Sequence, residues 1–297
     1  MSLTDKEDVV RPETVKLDGV EGTITIRSLL RFEEYVDCEQ LQRETWGKDF
    51  NDVVPASLIK VSHRIGGVAV GAFDANGELI GFVFGMTGFE DGRPVHWSHM
   101  LAVKKNIRGV GIGKELKLFQ RALLLNKDIT EVFWTFDPLV SRNAYLNLTR
   151  LGAEVSEYVV DMYGQGESSE LHRGLGTDRF ILVWRIRGDR VIQAIELNGT
   201  DAGESEKSPY VVNPRSIESD DCSPPRDGEL PLLPEVRIEV PPEIHTVRSV
   251  SAETAHLWRV STRRALQWYL KHNFEVSTFY RDPSSGRCFY CLVHRDP

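Results

Sequence analysis

The run Arg108, Gly109, Val110, Gly111, Ile112, Gly113 has residue types and spacing suited to holding an anion. Glycine has no Cβ, so a ligand can come close to the main chain. Consecutive N–H groups at the start of a helix converge on negative charge at the positive end of its dipole. A phosphate or pyrophosphate is the natural guest. A Walker A loop is excluded: it needs a glycine five residues before the Gly113 and Lys114 pair and Ser or Thr after it, and Arg108 and Glu115 occupy those positions. A dinucleotide fingerprint beginning at Gly109 and Gly111 would place its third glycine on Lys114, so it fails too. The spacing that remains is R-x-x-G-x-G, made by Arg108, Gly111 and Gly113.

Groups able to move a proton stand on both sides of that run. His96 and His99 differ by three, so on a strand they face opposite sides, and no more than one can point into a cleft. Asp137 follows the apolar run Val132 to Phe136, where a carboxylate can accept a proton or cap the turn before Pro138. Tyr145 can serve as an acid or pack in a core. Arg142 and Arg179 are of the type that grips a carboxylate in bidentate fashion. Glu33 and Glu34 read as solvent-facing charges. Cys288 and Cys291 are spaced C-x-x-C without a second ligand pair, which predicts buried thiols and no metal site.

The elements that must position these groups follow from periodicity. Trp97 to Val103 reads as a strand, Lys104 to Arg108 as a basic turn, and Ile112, Leu116, Phe119 and Leu123 as one face of a helix. Before them come a strand at Thr23 to Arg27, a helix at Leu29 to Trp46 ended by Gly47, and a short helix after Pro55. Strands Gly67 to Phe73 and Glu78 to Met86 are joined by a turn containing Asn76 and Gly77, a strong hairpin signal. After them come a strand at Val132 to Phe136, a helix at Ser141 to Arg150, and strands at Glu154 to Tyr163 and Phe180 to Ile186. Toward the C-terminus lie an extended run at Val236 to Val240, an amphipathic helix at Thr254 to Lys271, and a hairpin of Asn273 to Tyr280 with Arg287 to Val293. Laid without gaps, Arg263 to Phe279 repeats Arg142 to Tyr158 at Arg, Ala, Glu, Val and Ser.

The glycine spacing after an apolar strand, the element order from Thr23 to Leu197, and the run WTFDPLVSRNA (Trp134 to Ala144) together resemble the GNAT superfamily of acyl-CoA-dependent N-acyltransferases. The resemblance implies an α/β (α+β) fold, a GNAT-type twisted mixed sheet flanked by helices, here with a C-terminal helix-strand-strand extension. It implies an enzyme of the EC 2.3.1 type that moves an acetyl or succinyl group from acetyl-CoA or succinyl-CoA to a small-molecule amine or amino acid by direct attack. Backbone groups of Leu101, Ala102 and Val103 would pair with the pantetheine arm. Gly109, Val110, Gly111, Ile112, Gly113 and Lys114 would meet the pyrophosphate, with charge from Arg108 and Lys114, and Asn143 would touch the CoA arm. A backbone N–H near the central strand would meet the thioester oxygen. Asp137, His99 or His96 would be the base, and Arg142 and Arg179 would face the substrate. In the family pattern N-x-x-A-x-x-x-Y-x-x-x-G this chain keeps Ala144 and Gly152 but has Ser141 for the asparagine and Leu148 for the tyrosine. Tyr145, one turn earlier, becomes the candidate acid. The alternative is a non-catalytic acyl-CoA-binding or regulatory module.

Composition bounds the rest. The 297 residues are 41% hydrophobic, enough for a packed core, and the formal net charge of −8 without a long basic run argues against nucleic acid or an anionic membrane surface. The N-terminal stretch MSLTDKEDVVRPE is charged where a signal peptide is apolar, so a cytoplasmic location is expected. A homodimer is left open. The expected organisation is a flexible tail over residues 1–21, an acyltransferase domain over 22–197, a Ser-, Pro- and Gly-rich linker over 198–234, and a helix and hairpin unit over 235–297.

Overall fold

The computed structural model describes residues 10–19, 22–48, 50–164, 175–197, 210–217 and 220–295. They fall into two compact units divided after Trp134.

The first unit is a mixed sheet with helices on both faces. Its strands are β1 (Glu13–Val15) and β2 (Ile24–Ser28), then, after helices α1 (Phe32–Trp46) and α2 (Ala56–Arg64), β3 (Val68–Phe73), β4 (Leu79–Glu90) and β5 (Arg93–Val103). Helix α3 (Ile112–Leu125) leads to β6 (Glu131–Phe136), which begins in this unit and ends in the next. The strands lie in chain order, antiparallel from β1 to β5, and β6 adds parallel to β5. β3 is buried at every residue, which is why it is apolar without alternation.

Leu29, Tyr35, Cys38, Leu41 and Ile59 from α1, α2 and their approaches close over Phe82, Phe84, Met100 and Ala102 on one sheet face. α3 covers the other, where a Cβ on Gly81 would stand 3.3 Å from Leu116. The hairpin at Asp74 is formed as expected, its carboxylate accepting from the N–H groups of Asn76 and Glu78. A second hairpin was not legible. Asp91 and Gly92 both have positive φ, as a two-residue turn with the sheet's twist requires, and they start β5 at Arg93 instead of Trp97. The residues around that turn are exposed and lack apolar alternation.

Two expectations change in this unit and at its start. Residues 13–15, assigned to a flexible tail, form β1, paired to β2. Glu34, expected at the surface, is 2% exposed. It accepts from both ends of the Arg27 guanidinium and from the N–H of Leu30. Burial acts to raise its pKa, but the Arg27 hydrogen bonds and charge prevail and hold it at about 2.

The second unit continues through α4 (Ser141–Ala144), a π-helical turn (Tyr145–Arg150), β7 (Glu154–Val159), β8 (Arg179–Arg185) and α5 (Asp189–Leu197). Then come β9 (Tyr210–Val211), β10 (Glu235–Val240), α6 (Ile244–Val250), α7 (Ala252–Lys271), β11 (Phe274–Arg281) and β12 (Cys288–His294). β7 and β8 form an antiparallel pair, and a four-stranded sheet has the order β11-β12-β10-β9.

Contacts in this unit run across the boundaries expected at 197 and 234. The described part of the 198–234 segment is built into the unit: Val212 and Asn213 are fully buried, and Asn213 exchanges hydrogen bonds with the backbone of Glu239. Polar composition suggested a linker because these side chains satisfy buried backbone instead of filling a core. The C-terminal residues are likewise tied in. Thr149 donates to Phe279 O (2.7 Å) and Tyr290 donates to Pro138 O (2.7 Å). The weak internal repeat has a structural counterpart. In the same ungapped alignment Gly152 falls on Asn273, and both take positive φ at the end of a helical segment. Ser156 falls on Ser277, and each is the extra residue of a bulge in the strand that follows.

Candidate active site

In the first unit the glycine run forms a corner between strand and helix. β5 ends at Val103, a 3₁₀ turn (Lys105–Ile107) follows, and Arg108 Nε donates to Val103 O at 2.8 Å, folding the turn back on the strand. Gly109 (φ 91°) and Gly111 (φ 107°) take left-handed backbone, which costs other residues roughly 1–2 kcal/mol. Gly111 is the N-cap of α3, and its carbonyl accepts from Lys114 N and Glu115 N. The N–H groups of Ile112 and Gly113 therefore stand ahead of the helical ladder, at its positive end. Among the described residues nothing lies within 4 Å of a Cβ built on Gly109. A Cβ on Gly111 would stand 3.8 Å from Leu17, and the main chain here has the geometry of an anion site.

Beside the corner β5 has an open edge. It pairs with β6 only at His96 with Val132 and Trp97 with Phe133, while Leu101, Ala102 and Val103 pair on their other side with Val83, Phe82 and Gly81 of β4. Past Trp97 the parallel strands part. A bulge lies at the same place: Gly85 and Phe84 face Ser98 and Met100, leaving His99 as the extra residue. Bulges redirect a strand and its N–H groups, and they recur beside active sites.

The two histidines do separate. His96 is fully buried on the α3 side, with Nε2 3.1 Å from Gln120 Nε2 and Nδ1 3.1 Å from Thr87 Oγ1. Burial, helped by the charges of Lys117 and Lys127, lowers its pKa to about 3, so its imidazole is neutral across the physiological range. A Cβ on Gly85 would collide with that ring, which is why glycine stands there. His99 is exposed and meets the edge of Phe84 with ring centres 6.3 Å apart. The surrounding protein lowers its pKa, against the pull of Asp52.

Sequence reasoning passed over a polar cluster behind the open edge. Lys117 Nζ donates to Ser98 Oγ (2.8 Å) and Gln120 Oε1 (3.1 Å) and lies 3.8 Å from the centre of the Trp134 ring. A signal was present: Lys117 and Gln120 are three apart and flank the apolar stripe of α3, where a charged side chain must be buried with partners.

In the second unit Asp137 is nearly buried and committed. Its Oδ2 lies 2.6 Å from Arg259 Nη2 and its Oδ1 accepts from Leu139 N, so it caps the turn at Pro138 as well as pairing with α7. Arg179 Nη1 lies 3.9 Å from the same carboxylate and donates to Asp178 O, and its guanidinium lies over Tyr163. Asp178 in turn binds Arg263 and Tyr158. Arg179 is thus part of a buried ionic network, and Arg142 is exposed. Tyr145 and Asn143 are half-buried, and Leu148 is in the core at 3% exposure. Cys288 and Cys291 are buried thiols raised to about 11 by burial. Among the described residues no group of three or more His, Cys, Asp or Glu is placed to hold a metal, and no helix is long and apolar enough to cross a membrane.

No protein-family model matches the chain, and no curated protein does. Among solved structures it is similar to the ribosomal-protein-S18-alanine N-acetyltransferase of Escherichia coli (12% identity, 56% of this chain and 97% of that one, TM-score 0.44). It is also similar to an aminoglycoside 6′-N-acetyltransferase complexed with coenzyme A (16%, 55% and 97%, 0.42). A third is yncA of Salmonella typhimurium with its cofactor acetyl-CoA (13%, 56% and 96%, 0.46).

Proposed function

We propose that the chain is an acyl-CoA-dependent N-acyltransferase of the GNAT type, moving an acetyl or another short acyl group to the amine of a small molecule or amino acid. The observation that carries the reading is the adjacency of the Gly109–Gly113 corner to the unpaired edge of β5. Such an edge takes an extended amide-bearing arm as a further strand would be taken. The corner would hold the pyrophosphate, with Arg108 and Lys114 adding positive charge, and Leu101, Ala102 and Val103 would pair with the pantetheine.

The chemistry required of the chain is modest. A neutral amine attacks the thioester carbonyl, negative charge gathers on its oxygen, and the C–S bond breaks. A main-chain N–H at the His99 bulge, where β5 loses its partner on β4, would be suited to that oxygen. His99 is the stronger of the two histidine candidates for the base, because His96 is enclosed and holds two hydrogen bonds. Asp137 would have to leave Arg259 to act. The resemblance keeps Tyr145 as the candidate acid for the departing thiolate, Asn143 as a candidate for the CoA arm, and Arg142 and Arg179 as candidates for the acceptor.

A non-catalytic acyl-CoA-binding module is the second reading, favoured by Leu148 in the core at the position where the resemblance expects tyrosine, and by the pairing of Asp137. Two measurements decide. Thermal shift with CoA tests the corner, since ligand at 100 times its dissociation constant adds about 2.7 kcal/mol. Release of free thiol from acetyl-CoA and succinyl-CoA across an amine panel tests turnover. Binding with thiol release supports the enzyme, binding without it supports the module, and absence of binding rejects both.

A further inference from the structure

Lys117 is 2% exposed, and its amine joins the two strands that part. Trp97 and Phe133 are the last paired residues of β5 and β6. Ser98, the next on β5, accepts from Lys117 Nζ at 2.8 Å, and Trp134, the next on β6, presents its ring face at 3.8 Å. Nζ therefore sits at the vertex of the fork, bound to the first residue past it on either side. Gln120 Oε1, at 3.1 Å, fixes the side chain from one turn further along α3.

The same vertex is where an arm from the corner would end. Lys117 lies six residues into the helix from Gly111, about 9 Å along its axis. Ser98 lies three residues before Leu101, roughly 10 Å along β5. A pantetheine anchored by its pyrophosphate at the corner and laid on the edge of Leu101 to Val103 runs toward this amine. Burial lowers the lysine pKa well below its ordinary value, which favours the neutral, nucleophilic form.

Resting on the acyltransferase reading, we propose that Lys117 is itself an acylation site, modified by the acyl-CoA bound at the corner. The Nζ lone pair attacks the thioester carbonyl carbon, the N–C bond forms and the C–S bond breaks. The proton lost from Nζ goes to the departing thiolate, giving an amide on Lys117 and free CoA thiol. The product replaces the amine beside Trp134 with a neutral amide that keeps one N–H donor for Ser98 or Gln120.

The test uses the full chain with acetyl-CoA and no acceptor amine. Intact mass is followed with time, the modified residue is located by peptide mass spectrometry, and CoA binding is read in parallel by thermal shift. The expected result is a gain of one acetyl group, located on Lys117 and absent in Lys117→Met. Were that variant to misfold, the peptide map of the unaltered chain would still decide. A thermal shift with CoA but no acetyl on Lys117, or acetyl scattered over exposed lysines, overturns this proposal and leaves the acyltransferase reading standing. Absence of any shift with CoA overturns both.

Discussion

Arg259 of α7 places Nη2 2.6 Å from the carboxylate of Asp137, and both side chains are less than 5% exposed. The residue that the sequence offers as a base at the end of β6 is thus neutralised by the C-terminal segment. Removing one member of a buried pair strands the other charge. Arg259→Leu is expected to cost about 3–5 kcal/mol, read from urea midpoints. A loss under about 1 kcal/mol would show that the pair contributes little.

The corner is tested by Gly111→Ala. Its φ of 107° makes any side chain unfavourable there, at roughly 1–2 kcal/mol. The added methyl would stand 3.8 Å from Leu17, and on the acyltransferase reading it would disturb the main chain that holds the pyrophosphate. CoA affinity, measured by calorimetry, should fall by more than the stability loss accounts for, whereas equal losses would mean that the glycine serves backbone geometry alone.

His96 sets a pH dependence. Its folded pKa of about 3 lies below the unfolded value near 6.5, so above that value both states are neutral and the group contributes fully. As pH falls below about 6.5 the unfolded chain takes up a proton that the folded chain refuses, and roughly 1.4 kcal/mol is lost per pH unit toward pH 3. Stability against pH should show this slope in the native chain and a shallower one in His96→Gln. Parallel curves would remove His96 as the cause.

Tyr145→Phe addresses the departing thiolate. If the hydroxyl donates to it, kcat should fall by about 10²-fold with KM for acyl-CoA unchanged. An unchanged kcat would leave the thiolate to depart without this acid.

Truncation after Leu197 tests the unit boundary. Thr149, Pro138 and Arg190 all hold hydrogen bonds to residues beyond it. The shortened chain should be insoluble or lack a cooperative melt. A soluble, cooperatively melting fragment would support the boundary expected from composition.

The sequence by itself determined the glycine corner, the strand before it and the helix after it, because these are local matters of Cβ-free backbone and apolar spacing. It also determined that His96 and His99 diverge, since strand alternation requires it. Only the tertiary structure decided which charges are buried. Glu34, Lys117 and Asp137 look like ordinary polar residues, and their partners Arg27, Ser98, Trp134 and Arg259 are distant along the chain or ambiguous in it. Charge burial depends on which elements meet, and neither period nor spacing carries that information. The same reason explains the polar stretch around Asn213, which reads as linker yet satisfies buried backbone, and the bulge at His99, which is a property of two strands in register.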